Sequence, residues 1–213
     1  MKTLFHNAIL MATLFLTCTT SCVSAKSDKG DEGDTTPMKE TRDVKDFHIM
    51  DIKSVGTIYF TQANTYSCKI EGETRYVKHT ETTVADGKLS IRFDTQSRNI
   101  KNGITLHITA PSLSKVYFQG VGSFICKERL DADNIVFDVD GVGKLEVNDL
   151  HCNKATVNLD GVGKAKVNVF ADKLTATVNG VGSMILSGKV KTADISRDGV
   201  GSIDKSDLKI ENK

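Results

Sequence analysis

Gly120-Val-Gly, Gly141-Val-Gly, Gly161-Val-Gly, Gly180-Val-Gly and Gly199-Val-Gly follow one another in the second half of this 213-residue chain. The steps between them are 21, 20, 19 and 19 residues. A fixed period near twenty is the mark of a solenoid, in which one coil stacks on the next. With the first glycine as origin, the residues two and four positions before it are apolar in most copies: Phe118, Val139, Leu159 and Val178, and Val116, Phe137, Val157, Ala176 and Ile195. Four and six positions after it come Phe124, Leu145, Ala165, Met184 and Ile203, then Cys126, Val147, Val167 and Leu186. Spacing by twos on both flanks predicts a strand before and a strand after each glycine pair, each burying alternate side chains.

The step from the last apolar residue before the glycines to the valine within them is three. An odd step predicts a corner with the valine turned inward. Glycine suits such a corner because it tolerates positive φ and lets backbones pass closely. The predicted corner glycines are Gly120, Gly122, Gly141, Gly143, Gly161, Gly163, Gly180, Gly182, Gly199 and Gly201. A third inward site is expected at Leu130, Leu150, Phe170, Val190 and Leu208. The fold class is therefore all-β, a right-handed parallel β-helix or β-solenoid with coils of about twenty residues. A β-sandwich is the alternative, since it too spaces short strands regularly.

Weaker echoes lie upstream. Ser54-Val-Gly fits the template, with Met50 and Ile52 before it and Ile58 and Phe60 after it. Further strand-like runs surround Cys68 and Ile70, Leu89 to Phe93, and Ile104 to Ile108, with turns at Asp86-Gly87 and Asn102-Gly103. One domain over residues 44–213, of roughly eight irregular coils, follows from this reading. Arg197 and Lys205 replace apolar column residues in the last copy, as a terminal cap requires.

The first 43 residues read as address rather than fold. Residues 8–16 form a short apolar core behind Lys2, of signal-peptide length. Small residues lead to Cys22, and the segment 1–22 resembles a bacterial lipoprotein signal in which that cysteine carries the lipid. Cys18 is a rival site, and plain secretion with cleavage near Ala25 is the other option. Residues 23–43 are polar and are expected to form a flexible tether. The Lys29-Gly-Asp-Glu run resembles the acidic signals of some outer-membrane lipoproteins.

The repeated Gly-Val-Gly followed by Lys144, Lys164 or Ser183, the lead-in Ala110-Pro-Ser-Leu-Ser-Lys-Val and the early Ile52-Lys-Ser-Val-Gly together resemble the "head GIN" adhesin domain of bacterial envelope proteins. That family is also catalogued as a domain of unknown function. The resemblance covers about residues 44–208 and implies a β-helical domain outside the cytoplasm.

The chemistry narrows the field. The chain has 28 basic and 27 acidic residues, net charge +1, so no nucleic-acid partner is expected. Tryptophan is absent. The five histidines form no HExxH pair, there is no GxSxG elbow, and Gly141-Val-Gly-Lys lacks the spacing of a phosphate loop. The columns Asp140/Asp160 and Lys144/Lys164 imitate a polysaccharide-cleaving cluster, but like charges one coil apart beside an opposite column read better as mutual compensation. Gln119, Asp140, Asp160, Asn179 and Asp198 are oxygen donors at turns, where Asx residues usually bond their own backbone, so no metal or cofactor is expected. Cys68 and Cys126 read as buried thiols, and Cys126 and Cys152 sit at different offsets, so no disulfide is expected. The expected function is a non-enzymatic envelope lipoprotein, held to the outer membrane by an N-terminal lipid and offering a solenoid surface to protein or glycan. The alternative is a structural or stress-related envelope protein with no dedicated ligand; a polysaccharide-active enzyme is the least favoured.

Overall fold

A computed structural model describes residues 34–93 and 103–211. Cys18, Cys22 and the apolar stretch 8–16 lie outside the described residues. The chain is a β-solenoid of about 5 turns. Its regular part is built from β9 (Val121–Val139), β10 (Val142–Leu159), β11 (Val162–Val178), β12 (Val181–Arg197) and β13 (Val200–Ile210). Each pairs in parallel with the next, in register through the glycines: Gly122↔Gly143↔Gly163↔Gly182↔Gly201.

The flanking columns are buried as the spacing predicts. Phe118, Val139, Leu159 and Val178 are buried, as are Phe124, Leu145, Ala165, Met184, Cys126, Val147, Val167 and Leu186. The valines within the triplets are not: Val121, Val142, Val162 and Val181 are 51–53% exposed and Val200 is 74% exposed. Counting by twos explains the difference. From Val139 the inward parity runs through Gly141 and Gly143 to Leu145 without a break, so Val142 faces out. The glycines hold the inward positions of a tight corner. A Cβ on Gly141 would stand 2.3 Å from the Gly120 carbonyl oxygen, and one on Gly163 would stand 1.9 Å from that of Gly143. The next coil's valine N–H donates to the same row of oxygens, Val142 to Gly120 at 2.8 Å and Val162 to Gly141 at 2.8 Å. Glycine is required here by close approach of stacked backbones, since Gly141, Gly161 and Gly180 do not have positive φ.

The third inward site also differs from expectation. Phe170 is exposed and Val169 is buried in its place. The stacked column is Leu130–Leu150–Val169–Gly188–Leu208, while Val190 stacks on Ala171 and Ala171 on Cys152. Register shifts at Val147/Asp149, Val147/Leu150 and Ile185/Ser187 lie just before this side. They absorb the unequal coil lengths, so a fixed offset from the glycines no longer identifies the inward residue.

The N-terminal part is not a run of successive coils. β2 (Ile49–Lys53) and β3 (Val55–Gln62) form one coil whose neighbours are remote in sequence. β2 lies between β6 (Lys88–Phe93) and β8 (Lys115–Phe118), and β3 lies between β7 (Ile104–Ala110) and β9, all in parallel. The Ser54-Val-Gly echo is in its expected column, with Val55↔Val121 and Gly56↔Gly122. Beyond β7 the sheet turns antiparallel, through β4 (Ser67–Glu73) to β1 (Pro37–Arg42). β5 (Thr80–Ala85) closes the other side as a hairpin with β6, through Asp86-Gly87, both at positive φ. A short helix α1 (Thr74–Lys78) joins β4 to β5 and buries Tyr76 and Val77. Antiparallel strands and a helix thus finish the N-terminal end. Residues 37–42, expected to belong to the flexible tether, are the edge strand of this cap. Alternation of Lys39-Glu-Thr-Arg leaves one half-buried row against β4, too polar to register as a strand by hydropathy.

At the other end Arg197 and Lys205 are exposed, as a cap predicts, and the Arg197 guanidinium donates to the Gly201 carbonyl.

Candidate functional site

The outward parity of each coil sets residues in straight columns on the surface. Around the corner three columns run side by side. The middle one is the ridge Val121–Val142–Val162–Val181–Val200. On one flank stand Gln119, Asp140, Asp160, Asn179 and Asp198; on the other Ser123, Lys144, Lys164, Ser183 and Ser202. Stacked neighbours are about 4.8 Å apart.

The oxygen column is partly tied together between coils. The Asn179 Nδ2 donates to Asp160 Oδ1 at 2.5 Å, and the Gln119 Nε2 approaches Asp140 Oδ2 at 3.4 Å. Its oxygens are therefore spread along the stack rather than turned toward a common point. Among the described residues, no group of three or more His, Cys, Asp or Glu side chains converges to hold a metal ion. The lysines do not pair with the aspartates across the ridge. Lys144 instead bonds Glu146 two residues on, which holds the Glu146 carboxyl below the usual carboxylate range.

The second outer side carries a polar ladder. Lys115 meets Asp138 at 2.8 Å, and the Asn158 amide donates to Asp138 Oδ1 at 2.6 Å. Arg92 clasps Asp51, donating to its carboxylate and, at 2.8 Å, to its carbonyl. Phe170 is exposed, and its ring stacks on His151 at 4.7 Å and 18°. Asp149 Oδ1 pairs with the Nε2 at the edge of that imidazole at 2.9 Å. Beside the pair is a shallow hollow of about 240 Å³ lined by Cys152, Phe170, Ala171, Asp172, Lys191 and Glu211. The ion pair Lys191–Asp172, at 2.7 Å, crosses its rim.

The three described cysteines are free. Cys68 and Cys126 are buried, and burial pushes their thiols up to about 11 and about 12. Cys152 is half-buried and is pushed up to about 11, chiefly by burial, with Asp133 and Asp172 adding to it. None is a reactive thiolate at neutral pH.

Two surface features escaped the sequence reading. The valine ridge was placed inside by an odd step across the glycines, although counting by twos leads to the outside. Phe170 sits in an adjacent apolar pair with Val169, and the pair alone does not say which member faces in.

The family model described as "Putative auto-transporter adhesin, head GIN domain" matches residues 46–213. No curated protein matches the chain. Among solved structures, a "putative adhesin" from Bacteroides fragilis is 26% identical, with a TM-score of 0.64, over 79% of this chain and 96% of that one. A "putative lipid binding protein" from Parabacteroides distasonis superposes with a TM-score of 0.73 at 18% identity, over 81% of this chain and 75% of that one. A "putative adhesin" from Parabacteroides merdae gives a TM-score of 0.50 at 15% identity, over 80% and 97% of the two chains. The last two likenesses bear on the fold alone.

Proposed function

The chain belongs to the head GIN family of auto-transporter-type adhesin domains, and from that premise we propose that it is a non-enzymatic binding domain of the cell envelope. Its ligand class is protein or glycan. The observation that carries this reading is the surface itself: straight, solvent-facing columns repeated on every coil, with polar groups laid out in lines rather than gathered in a cleft. Repeat proteins use such extended faces to bind. An N-terminal lipid on Cys22, with Cys18 as the rival position, holds the domain to the outer membrane in this reading. Its support is the short apolar run ahead of a cysteine in the sequence.

The test is to screen the full-length protein, purified in mild detergent, against glycan arrays and whole cells. Binding that persists in moderate salt is the expected result. Silence on both panels overturns the adhesive reading in favour of a structural envelope role.

A further inference from the structure

From the valine ridge and the two columns beside it, we infer that the Gly-Val-Gly corner is a self-association surface, taking a second copy of this chain in parallel orientation. The ridge is one residue wide and five coils long, about 19 Å at the usual strand spacing. Its valines are at least half exposed and contribute little to the core. Their side chains nonetheless repeat without exception, while the columns on either side vary. Serine or threonine on an outward strand position would serve the strand without exposing apolar area. A continuous apolar row with polar borders marks a contact surface.

The borders select the partner and its direction. Asp140, Asp160 and Asp198 line one side of the ridge, Lys144 and Lys164 the other. Two copies meet ridge to ridge about a two-fold axis in one of two ways. With the axis along the ridge, Asp140 and Asp160 of one copy face the lysine column of the other, on both sides at once. With the axis across it at Val162, Asp160 meets Asp160 and Lys164 meets Lys164, while Asp140 and Lys144 face the uncharged Asn179 and Ser183. Only the parallel pairing is complementary, and the same patch serves both copies, as two-fold symmetry demands. Parallel pairing also leaves both N-terminal ends on the same side. It does not depend on a lipid anchor or on an external ligand. A strip one residue wide and about 19 Å long is too small to bury the roughly 1,200–2,000 Å² of a stable complex, so the contact is weak in free solution and grows with local concentration.

Single thiols on the ridge test this. Val142→Cys, Val162→Cys and Val181→Cys are made separately in the full-length protein and treated with a short bismaleimide. Wild type reports the native thiols, and Lys173→Cys reports an exposed site off the ridge. All three ridge variants are expected to give covalent dimer about ten-fold above both controls, the gain that proximity gives over random collision. In mixtures of differently tagged chains, Val142→Cys should link to itself and not to Val181→Cys. Dimer no higher than the controls overturns the proposal. So does dimer at Val162→Cys alone with Val142→Cys linking to Val181→Cys, the antiparallel result. Asp140→Lys with Asp160→Lys should abolish linkage at Val162→Cys, and adding Lys144→Glu with Lys164→Glu should restore it. Loss without restoration overturns the charge pairing.

Discussion

Gly161 lies so close to Gly141 that a Cβ on Gly161 would stand 1.9 Å from the Gly141 carbonyl oxygen. That oxygen accepts the Val162 N–H at 2.8 Å, so neither coil can draw back without breaking a ladder bond. Gly161→Ala is therefore expected to cost more than about 2 kcal/mol, at the upper end of single-substitution effects. Lys164→Ser, three residues on and exposed, should change stability by about 0.5 kcal/mol or less. Urea unfolding of both variants checks the contrast. Equal small effects would mean that the corner has room for a side chain.

The coil order makes a second prediction. β3 is bonded on both sides, by β7 and β9. Its amides should exchange as slowly as those of β10, although β3 lies near the start of the folded chain. β1, paired among the described residues with β4 alone, should exchange faster. Hydrogen exchange read by mass spectrometry after proteolysis distinguishes this from a simple N-to-C stack, in which β3 would be a fraying end.

Phe170 and Val169 should behave in opposite ways. Val169→Ala opens space in the core and should cost about 1–3 kcal/mol, whereas Phe170→Ala removes an exposed ring and should cost less than about 1 kcal/mol. Thermal or urea melts decide which of the pair is structural. If Phe170 contacts ligand, its loss should lower binding in the glycan or cell assay with stability unchanged.

Alkali should destabilise the fold through its thiols. Cys68 and Cys126 ionise at 9.0 in an ordinary setting and at about 11 and about 12 here. Below pH 9 both folded and unfolded chains keep these protons, and the stability from the buried thiols is fully present. Above it the unfolded chain loses protons first, so stability falls as pH rises toward the folded values. Cys126→Val removes one such group. Its stability should decline less steeply than wild type between pH 9 and pH 11, measured by urea unfolding across that range. Parallel curves would show that the Cys126 thiol does not contribute.

The anchor has its own test. Cys22→Ala should move the protein from the membrane to the soluble fraction and remove the mass of the lipid. Retention with Cys22→Ala and release with Cys18→Ala would transfer the site to Cys18. Indifference to both changes would remove the anchor.

The five glycine triplets carried the solenoid because close backbone approach leaves no alternative residue, and alternate burial beside them followed from strand parity. Parity also held through the corner, which is why assigning Val142 and its equivalents to the inside failed. The Phe170 misplacement has a different origin: β10 carries an extra residue between Val147 and Leu150 that β11 lacks, so the offset that fits Leu150 lands one residue past Val169, and a bulge leaves no fixed mark in composition. The Ser54-Val-Gly coil was recognisable, but its neighbours were not, since local sequence does not encode which distant strand lies beside it. The edge strand Pro37–Arg42 was hidden by its polarity. The surface columns could be read as residues at turns, but the ion pairing of Lys144 with Glu146 rather than Asp140 is set by side-chain placement that residue spacing does not encode.

The seating of β2–β3 between strands that come later in the chain governs the order of assembly. A polypeptide emerging N-terminus first cannot wind this molecule turn by turn from its beginning. It must hold Ile49–Gln62 without lateral partners until Lys88–Ala110 and Lys115–Val139 have both arrived. Those are long loops to close, and closure entropy falls on the early part of folding. Once β9 is seated, every later turn meets a finished template one turn below and adds by local zipping. The N-terminal third is thus expected to be the slow, committing step, with the glycine repeats extending rapidly from it.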